Sequence, residues 1–179
     1  MNPHDDDPLQ VTTTLNYCIR PAIRADVPKL EWYGSQAHTR TYIRQAFKAM
    51  MDGQRMMLVA DVNGFPVGQI YIQFDSKNKQ HADGYKRGYI YAFRVIEHLQ
   101  RCGIGSALLK AAEKTLIGRG FIFATLQVSK RNEDARRLYQ KNGYRVFSED
   151  PGHWYYIDHT GKQQEVNDPT WVMEKRLVR

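Results

Sequence analysis

Two stretches of the 179-residue chain bring together residue types that can do chemistry. The first is Gln100-Arg101-Cys102-Gly103-Ile104-Gly105-Ser106, which follows an apolar run and opens a helical pattern. Backbone N–H groups at a helix start have no intrahelical partner, and the helix dipole adds to their pull on an anion. Gly103 and Gly105 let the backbone approach a phosphate closely, Ser106 offers a hydroxyl and Arg101 a full charge. The second stretch holds Asn132 and Tyr139, seven residues apart. At about 100° per residue, seven positions return a helix to the same face, so both side chains can meet one ligand. A core tyrosine would have the same spacing. A phenol titrates near about 10 and stays protonated at neutral pH, so Tyr139 is available as an acid.

Two familiar nucleotide loops do not fit the first stretch. A dinucleotide fingerprint needs a third glycine where this chain has Leu108, and a P-loop needs a Gly-Lys-Ser/Thr ending that is absent.

Together the two stretches resemble the GNAT superfamily of N-acetyltransferases. Gln100, Gly103 and Gly105 match that family's Gln/Arg-x-x-Gly-x-Gly/Ala motif, placed after the run that ends near Val95. Asn132-Glu133-Asp134-Ala135-Arg136-Arg137-Leu138-Tyr139-Gln140-Lys141-Asn142-Gly143-Tyr144 is similar to its Asn-x-x-Ala-x-x-Leu-Tyr-x-x-x-Gly-Phe/Tyr. Ile19-Arg20-Pro21-Ala22 followed by Asp26 is similar to the usual start of such domains. The resemblance covers residues 15–179 and implies one α/β domain of the GNAT fold, with a mixed central sheet, splayed middle strands and helices on both faces.

It also implies acetyl-CoA as co-substrate, no metal, and direct transfer of the acetyl group to an amine of a small molecule, peptide or protein. The backbone of Phe93, Arg94 and Val95 is expected to bond the pantetheine arm and thioester carbonyl, with the Val95 N–H facing the oxyanion. Arg101, Cys102, Gly103, Ile104, Gly105, Ser106 and Asn132 are the other expected cofactor contacts. Tyr139 is expected to touch the cofactor and give a proton to the departing sulfur. The alternative is a non-catalytic CoA-binding or regulatory module of the same fold.

The general base is not legible. Some family members hold a glutamate where this chain has Gln127, and others a carboxylate where it has Tyr89. Glu97 and His98, just past the central strand, are candidates, as are a water chain and an acceptor of low pKa. Trp32, Tyr33, Trp154, Tyr155 and Tyr156 are candidate walls of an acceptor pocket, with Glu31 or Asp158 as cation partners. Arg94, alone among apolar neighbours, is expected to face the ligand or pair with an acid.

The elements that must position these residues follow from periodicity and punctuation. Strands are expected over 15–20, 55–62, 65–74, 88–96 and 121–128, and from 144 onward. Within 65–74, Phe65, Val67, Gln69, Tyr71 and Gln73 share one side of the pleat. Asp26 is a candidate N-cap for a short helix carrying Leu30, Trp32 and Tyr33. Helices are expected over 38–51, 104–117 and 132–142, the second with Ile104, Ala107, Leu108, Ala111 and Thr115 inward. Asn63-Gly64 marks a hairpin. The tail reads as a second hairpin, 154–159 returning through Thr160-Gly161 to 171–177.

Composition bounds the rest. Hydrophobic residues make up 42%, enough for one core, and residues 1–14, with three Asp and two Pro, read as a flexible arm. The net charge of +7 suits an anionic cofactor, but no long basic run or nucleic-acid module is present, so no polynucleotide partner is expected. Cys18 and Cys102 are far apart, with no metal-ligand spacing, which points to a reducing, cytoplasmic setting. No apolar run approaches the roughly 20 residues of a membrane span. The amine acceptor is the expected partner, and a homodimer is allowed.

Overall fold

The computed structural model describes residues 14–158 and 160–177; nearly all of the expected arm, and position 159 at the end of the expected tail strand, lie outside the described residues. The elements are β1 (Cys18–Pro21), α1 (Arg40–Met51), β2 (Arg55–Val62), β3 (Phe65–Gln73), β4 (Arg87–Val95), α2 (Ile104–Gly118), β5 (Phe123–Ser129), α3 (Glu133–Lys141), β6 (Arg145–Asp150), β7 (His153–Ile157), β8 (Gln163–Asn167) and β9 (Thr170–Arg176). Short 3-10 turns occupy Arg24–Asp26, Lys29–Glu31, Ala37–Thr39 and Glu97–Leu99.

Among the described residues, seven strands form one sheet in the order β1-β2-β3-β4-β5-β9-β6. β4 and β5 are parallel and the other neighbours antiparallel. A parallel pair needs a long crossover, which α2 supplies. Ile104, Leu108, Leu109, Ala112 and Leu116 of α2 pack with Tyr139 of α3 against Ile70, Ile72, Ile90 and Leu126. On the opposite face, Ile43 and Ala46 of α1 pack with Ala22, Leu30, Met57, Val59 and Tyr71. Coverage of both faces explains the near-continuous apolar runs in the middle strands. Truncating a fully buried member such as Leu108 to Ala costs about 2–5 kcal/mol. A Cβ on Gly88 would stand 2.2 Å from Leu116 Cδ2, so a side chain there would force the buried Leu116 to shift.

The GNAT arrangement expected from the sequence is therefore present, with local corrections. The tail is not one hairpin. β7 pairs with β8, while β9 inserts into the main sheet between β5 and β6. Period-2 patterning marks a strand but does not choose its partner, and β9 buries Val172 and Met173 in the sheet rather than against the exposed β7. The buried stripe of α2 runs through Leu109, Ala112 and Leu116 rather than Ala107, Ala111 and Thr115, because the larger side chains take the sheet side.

β3 does not keep its five residues on one side: Val67 joins the α2 layer and Tyr71 the α1 layer. A register shift opposite, between Ala60 and Asp61, changes the phase of the pleat. Asp26 is not a helix N-cap. Its buried carboxylate binds Arg20 Nη1 at 2.6 Å and the Ile23 N–H at 2.8 Å. The short helix shrinks to Lys29–Glu31, since Trp32 and Tyr33 take left-handed φ values of 43° and 57°. Among the described residues no helix is long and apolar enough to cross a membrane.

Candidate active site

β4 and β5 are paired only from Arg87↔Phe123 to Ile90↔Leu126. Beyond that, β5 stays on β9 as far as Ser129↔Thr170, and β4 stays on β3 as far as Gly68↔Val95. The parallel strands separate and leave a cleft between residues 93–95 and 127–129. A bulge in β4 starts this separation. The register passes from Tyr71↔Tyr91 to Gln69↔Arg94, so Ala92 and Phe93 together stand opposite Ile70. Ala92 adopts φ 49°, a left-handed backbone that costs a non-glycine residue about 1–2 kcal/mol.

A buried polar pair holds that backbone. Gln69 Nε2 donates to the Ala92 carbonyl at 3.1 Å, and the Tyr71 hydroxyl donates to Gln69 Oε1 at 3.1 Å. Across the bulge the pleat changes phase, leaving Tyr91 on the α1 layer and Phe93 on the α2 layer. Ile96 N–H bonds Val67 O at 2.9 Å, toward β3. Alternation along a strand therefore turns the Val95 N–H toward the cleft. Gln100 Nε2 donates to the Val95 carbonyl on that same edge at 3.1 Å and ties the glycine turn to the strand end.

The turn itself has Arg101 at φ 63° and Gly103, the N-cap of α2, at φ 83°. The first helical bond runs from Ala107 N–H to Gly103 O at 3.1 Å, so the N–H groups of Ile104, Gly105 and Ser106 precede it. A Cβ on Gly103 would meet no atom within 4 Å, so the approach to these donors is open. Gly105 lies against Phe93, whose Cζ would be 3.4 Å from an added Cβ. Phe93 also touches Tyr139, with ring centroids 6.2 Å apart. Phe93 is thus the common neighbour of the turn and the expected acid.

Tyr139 is 7% exposed. Burial pushes its phenol well above the ordinary tyrosine value, so it stays protonated throughout the physiological range. These features fit a long anionic thioester co-substrate: donors at α2 for phosphate, a strand edge with a free-running backbone for the arm, and a buried phenol near their junction.

Other expected residues fall in different settings. Asn132 is exposed, and its Oδ1 caps α3 by accepting from Ala135 N–H at 3.0 Å. It stands just before α3 with a non-helical backbone and is exposed where Tyr139 is buried, so the expected common face is not formed and its oxygen has a structural task. Cys102 is exposed and unpaired, with Sγ 3.5 Å from Gln100 O. Arg94 Nη1 donates to Gln36 Oε1, an amide rather than an acid. Glu97 and His98 are exposed on their 3-10 turn.

Among the candidate pocket walls, Trp32 is buried with Nε1 bonded to Pro66 O at 2.8 Å, and Tyr33 is 94% exposed over Phe65. Trp154 and Tyr155 lie exposed on β7, and Tyr156 stacks near Trp154 with centroids 5.5 Å apart. Glu31 is paired with Arg40 at 2.7 Å, and Asp158 caps its own turn through Thr160 and Gln164. Neither acid is a free cation partner.

The two positions where family relatives carry carboxylates lie together. The Tyr89 hydroxyl donates to Gln127 Oε1 at 3.1 Å beside the start of the cleft. Burial raises the Tyr89 phenol above its ordinary value, so it is neutral. A cluster absent from the sequence reading continues along this face. Tyr91 lies 5.6 Å from both Tyr89 and Tyr71 and 6.2 Å from Tyr42, centroid to centroid. The alternation of Tyr89 and Tyr91 was the signal for it. Among the described residues no three His, Cys, Asp or Glu side chains converge as a metal site.

The family model for the acetyltransferase (GNAT) family matches residues 24–144, and the chain belongs to that family. It is similar to an uncharacterized N-acetyltransferase, YhfO, of Bacillus subtilis, 35% identical over 106 residues, 58% of this chain and 65% of that protein. The chain thus spans slightly under two thirds of that relative. It is 30% identical over 136 residues to an N-alpha-acetyltransferase of Sulfurisphaera tokodaii, covering 72% of this chain and 80% of that one. The fold is shared with Arabidopsis thaliana NAA60 in complex with acetyl-CoA, at TM-score 0.66 and 17% identity, over 90% of this chain and 99% of that chain.

Proposed function

We propose that this protein transfers the acetyl group of acetyl-CoA directly to the α-amine of a peptide. The observation that carries the reading is the cleft opened by the Ala92 bulge, with the α2 donors at one end and Tyr139 against Phe93. The cofactor phosphates lie on the N–H groups of Gly103, Ile104, Gly105 and Ser106, with Arg101, Cys102 and Asn132 beside them. The pantetheine arm runs along Phe93, Arg94 and Val95, and the Val95 N–H holds the oxyanion as it forms. The amine attacks the thioester carbon, the C–S bond breaks, and Tyr139 gives its proton to the departing sulfur.

Two considerations favour an α-amine. One is the relative named an N-alpha-acetyltransferase. The other is the absence of a carboxylate at Tyr89 and Gln127. An α-amine with a pKa of about 8 is roughly one-tenth neutral at pH 7, whereas a lysine near 10.4 is neutral in only about one molecule in 2,500. A site without a strong base therefore suits the α-amine better.

The test is CoA release, read with a thiol reagent, over a panel of free-N-terminal peptides, lysine side-chain amines and small amines. Peptides should lead. Turnover confined to small amines overturns the peptide reading, and no turnover with any amine overturns the catalytic one.

A further inference from the structure

We propose that His81, in the loop between β3 and β4, is the group that takes the proton from the acceptor ammonium. This rests on the acyl-transfer reading above and supplies the base that it lacks.

The placement of His81 carries the argument. Its ring stacks on Tyr89 with centroids 4.7 Å apart and planes 13° from parallel. Tyr89 in turn bonds Gln127 at the start of the cleft and stacks on Tyr91, so His81 closes one end of an aromatic row along the splayed strand. The loop is fastened there. Thr125 Oγ1 of β5 donates to the His81 carbonyl at 2.5 Å, and the next residue, Ala82, is fully buried.

Asn78 faces the ring. Its Oδ1 accepts from Gln80 N–H at 3.1 Å, which turns its Nδ2 toward His81 Nε2 at 3.3 Å. An amide donor facing Nε2 leaves that nitrogen as an acceptor, the form a base requires. The nearby titratable groups are Tyr89 of β4, which is neutral, and Asp150 of β6, whose carboxylate accepts from Gly152 N–H at 2.7 Å and whose negative charge favours a cation at His81. Desolvation lowers the His81 pKa more than Asp150 raises it, so the free ring is neutral at pH 7.

The acceptor ammonium then lies at the shared edge of the His81 and Tyr89 rings, facing Asp150. It gives one proton to His81 Nε2, and the exposed Asn78 amide moves aside. The neutral amine bonds to the acetyl carbon, the C–S bond breaks and the thiolate takes the Tyr139 proton. The second proton on nitrogen restores the Tyr139 phenol, and His81 returns its proton to water. Protons balance with one released per acetylation.

Two variants test this with the best amine of the panel, whichever class it is, so failure of the α-amine reading is seen separately. His81→Phe keeps the stacking and removes the base: kcat should fall at least about 100-fold, with the thermal shift on acetyl-CoA retained. Asn78→Asp keeps the acceptor for Gln80 and places a carboxylate on Nε2, so the acid limb of kcat/KM, below about 6.5 in the wild type, should move to higher pH. NMR titration of the His81 ring should move with it. Wild-type kcat in His81→Phe, or an acid limb that stays in place while the ring pKa moves, overturns the proposal. Should His81→Phe fail to fold, the Asn78→Asp pH profile decides alone.

Discussion

Tyr89 donates its hydroxyl hydrogen to Gln127 Oε1 across 3.1 Å, joining the parallel strands one step before they part. Both groups are neutral, so the place nearest the start of the cleft has hydrogen-bonding capacity without charge. Gln127→Glu keeps the acceptor for Tyr89 and adds a carboxylate. It should raise kcat/KM at pH 7 for lysine-like amines more than for α-amines, by about tenfold in ratio, equivalent to about 1.4 kcal/mol. Competition between paired peptides followed by mass spectrometry measures that ratio directly.

Tyr139 is the buried phenol at the junction of turn and cleft. Tyr139→Phe preserves the contact with Phe93 and removes one proton donor. Its kcat should fall by about 10²-fold, while the acetyl-CoA-induced rise in Tm is unchanged. Stopped-flow or steady-state CoA release at several acetyl-CoA concentrations separates the two quantities, and wild-type turnover would remove Tyr139 from the acid role.

Gly103 holds φ 83° at the start of α2 in open space. A Cβ at Gly103 meets no atom within 4 Å, so the penalty of Gly103→Val comes first from the left-handed backbone, at least about 1–2 kcal/mol, and from a side chain over the anion donors. Acetyl-CoA should no longer raise the Tm of this variant. Its Tm without ligand, measured by calorimetry, should fall only modestly.

The glycine turn, its helix, the place of Tyr139 on a helix and most strand boundaries were legible because each has a local cause: glycines in a turn, an apolar period. The bulge at Ala92 was not. Alanine carries no turn signal, and its left-handed φ is imposed by Gln69 from the neighbouring strand. The partner of β9 was likewise a matter of competition for the sheet edge, which no local pattern encodes. His81 sits in a polar loop whose sequence reads as solvent-facing, and only the fold brings it over Tyr89.

Gln69 is therefore a sharp test of how the cleft is made. Gln69→Leu matches the volume and apolar surroundings but leaves the Tyr71 hydroxyl and Ala92 carbonyl without this partner. The expected loss is about 1–3 kcal/mol of stability in urea denaturation, together with weaker acetyl-CoA binding by calorimetry as the bulge relaxes. Reduced stability with unchanged affinity would show that the bulge persists without its polar pin.

Asp26 ties β1 to the first 3-10 turn through Arg20, which also meets Asp61 at 2.6 Å. Burial opposes the charge on Asp26, but the Arg20 guanidinium and the Ile23 N–H outweigh it and hold the carboxyl below its usual range. A folded pKa below the unfolded value of about 3.9 contributes stability that is present above that pH and lost as pH falls through the folded value. Asp26→Asn should cost about 2–3 kcal/mol at pH 7, less than the roughly 3–5 kcal/mol for breaking a buried pair outright, because Asp61 still holds Arg20. The gap between wild type and variant should narrow below about pH 4. Denaturation midpoints measured from pH 7 down to 3 give this curve, and a gap independent of pH would mean that the carboxylate charge is not what Arg20 stabilises.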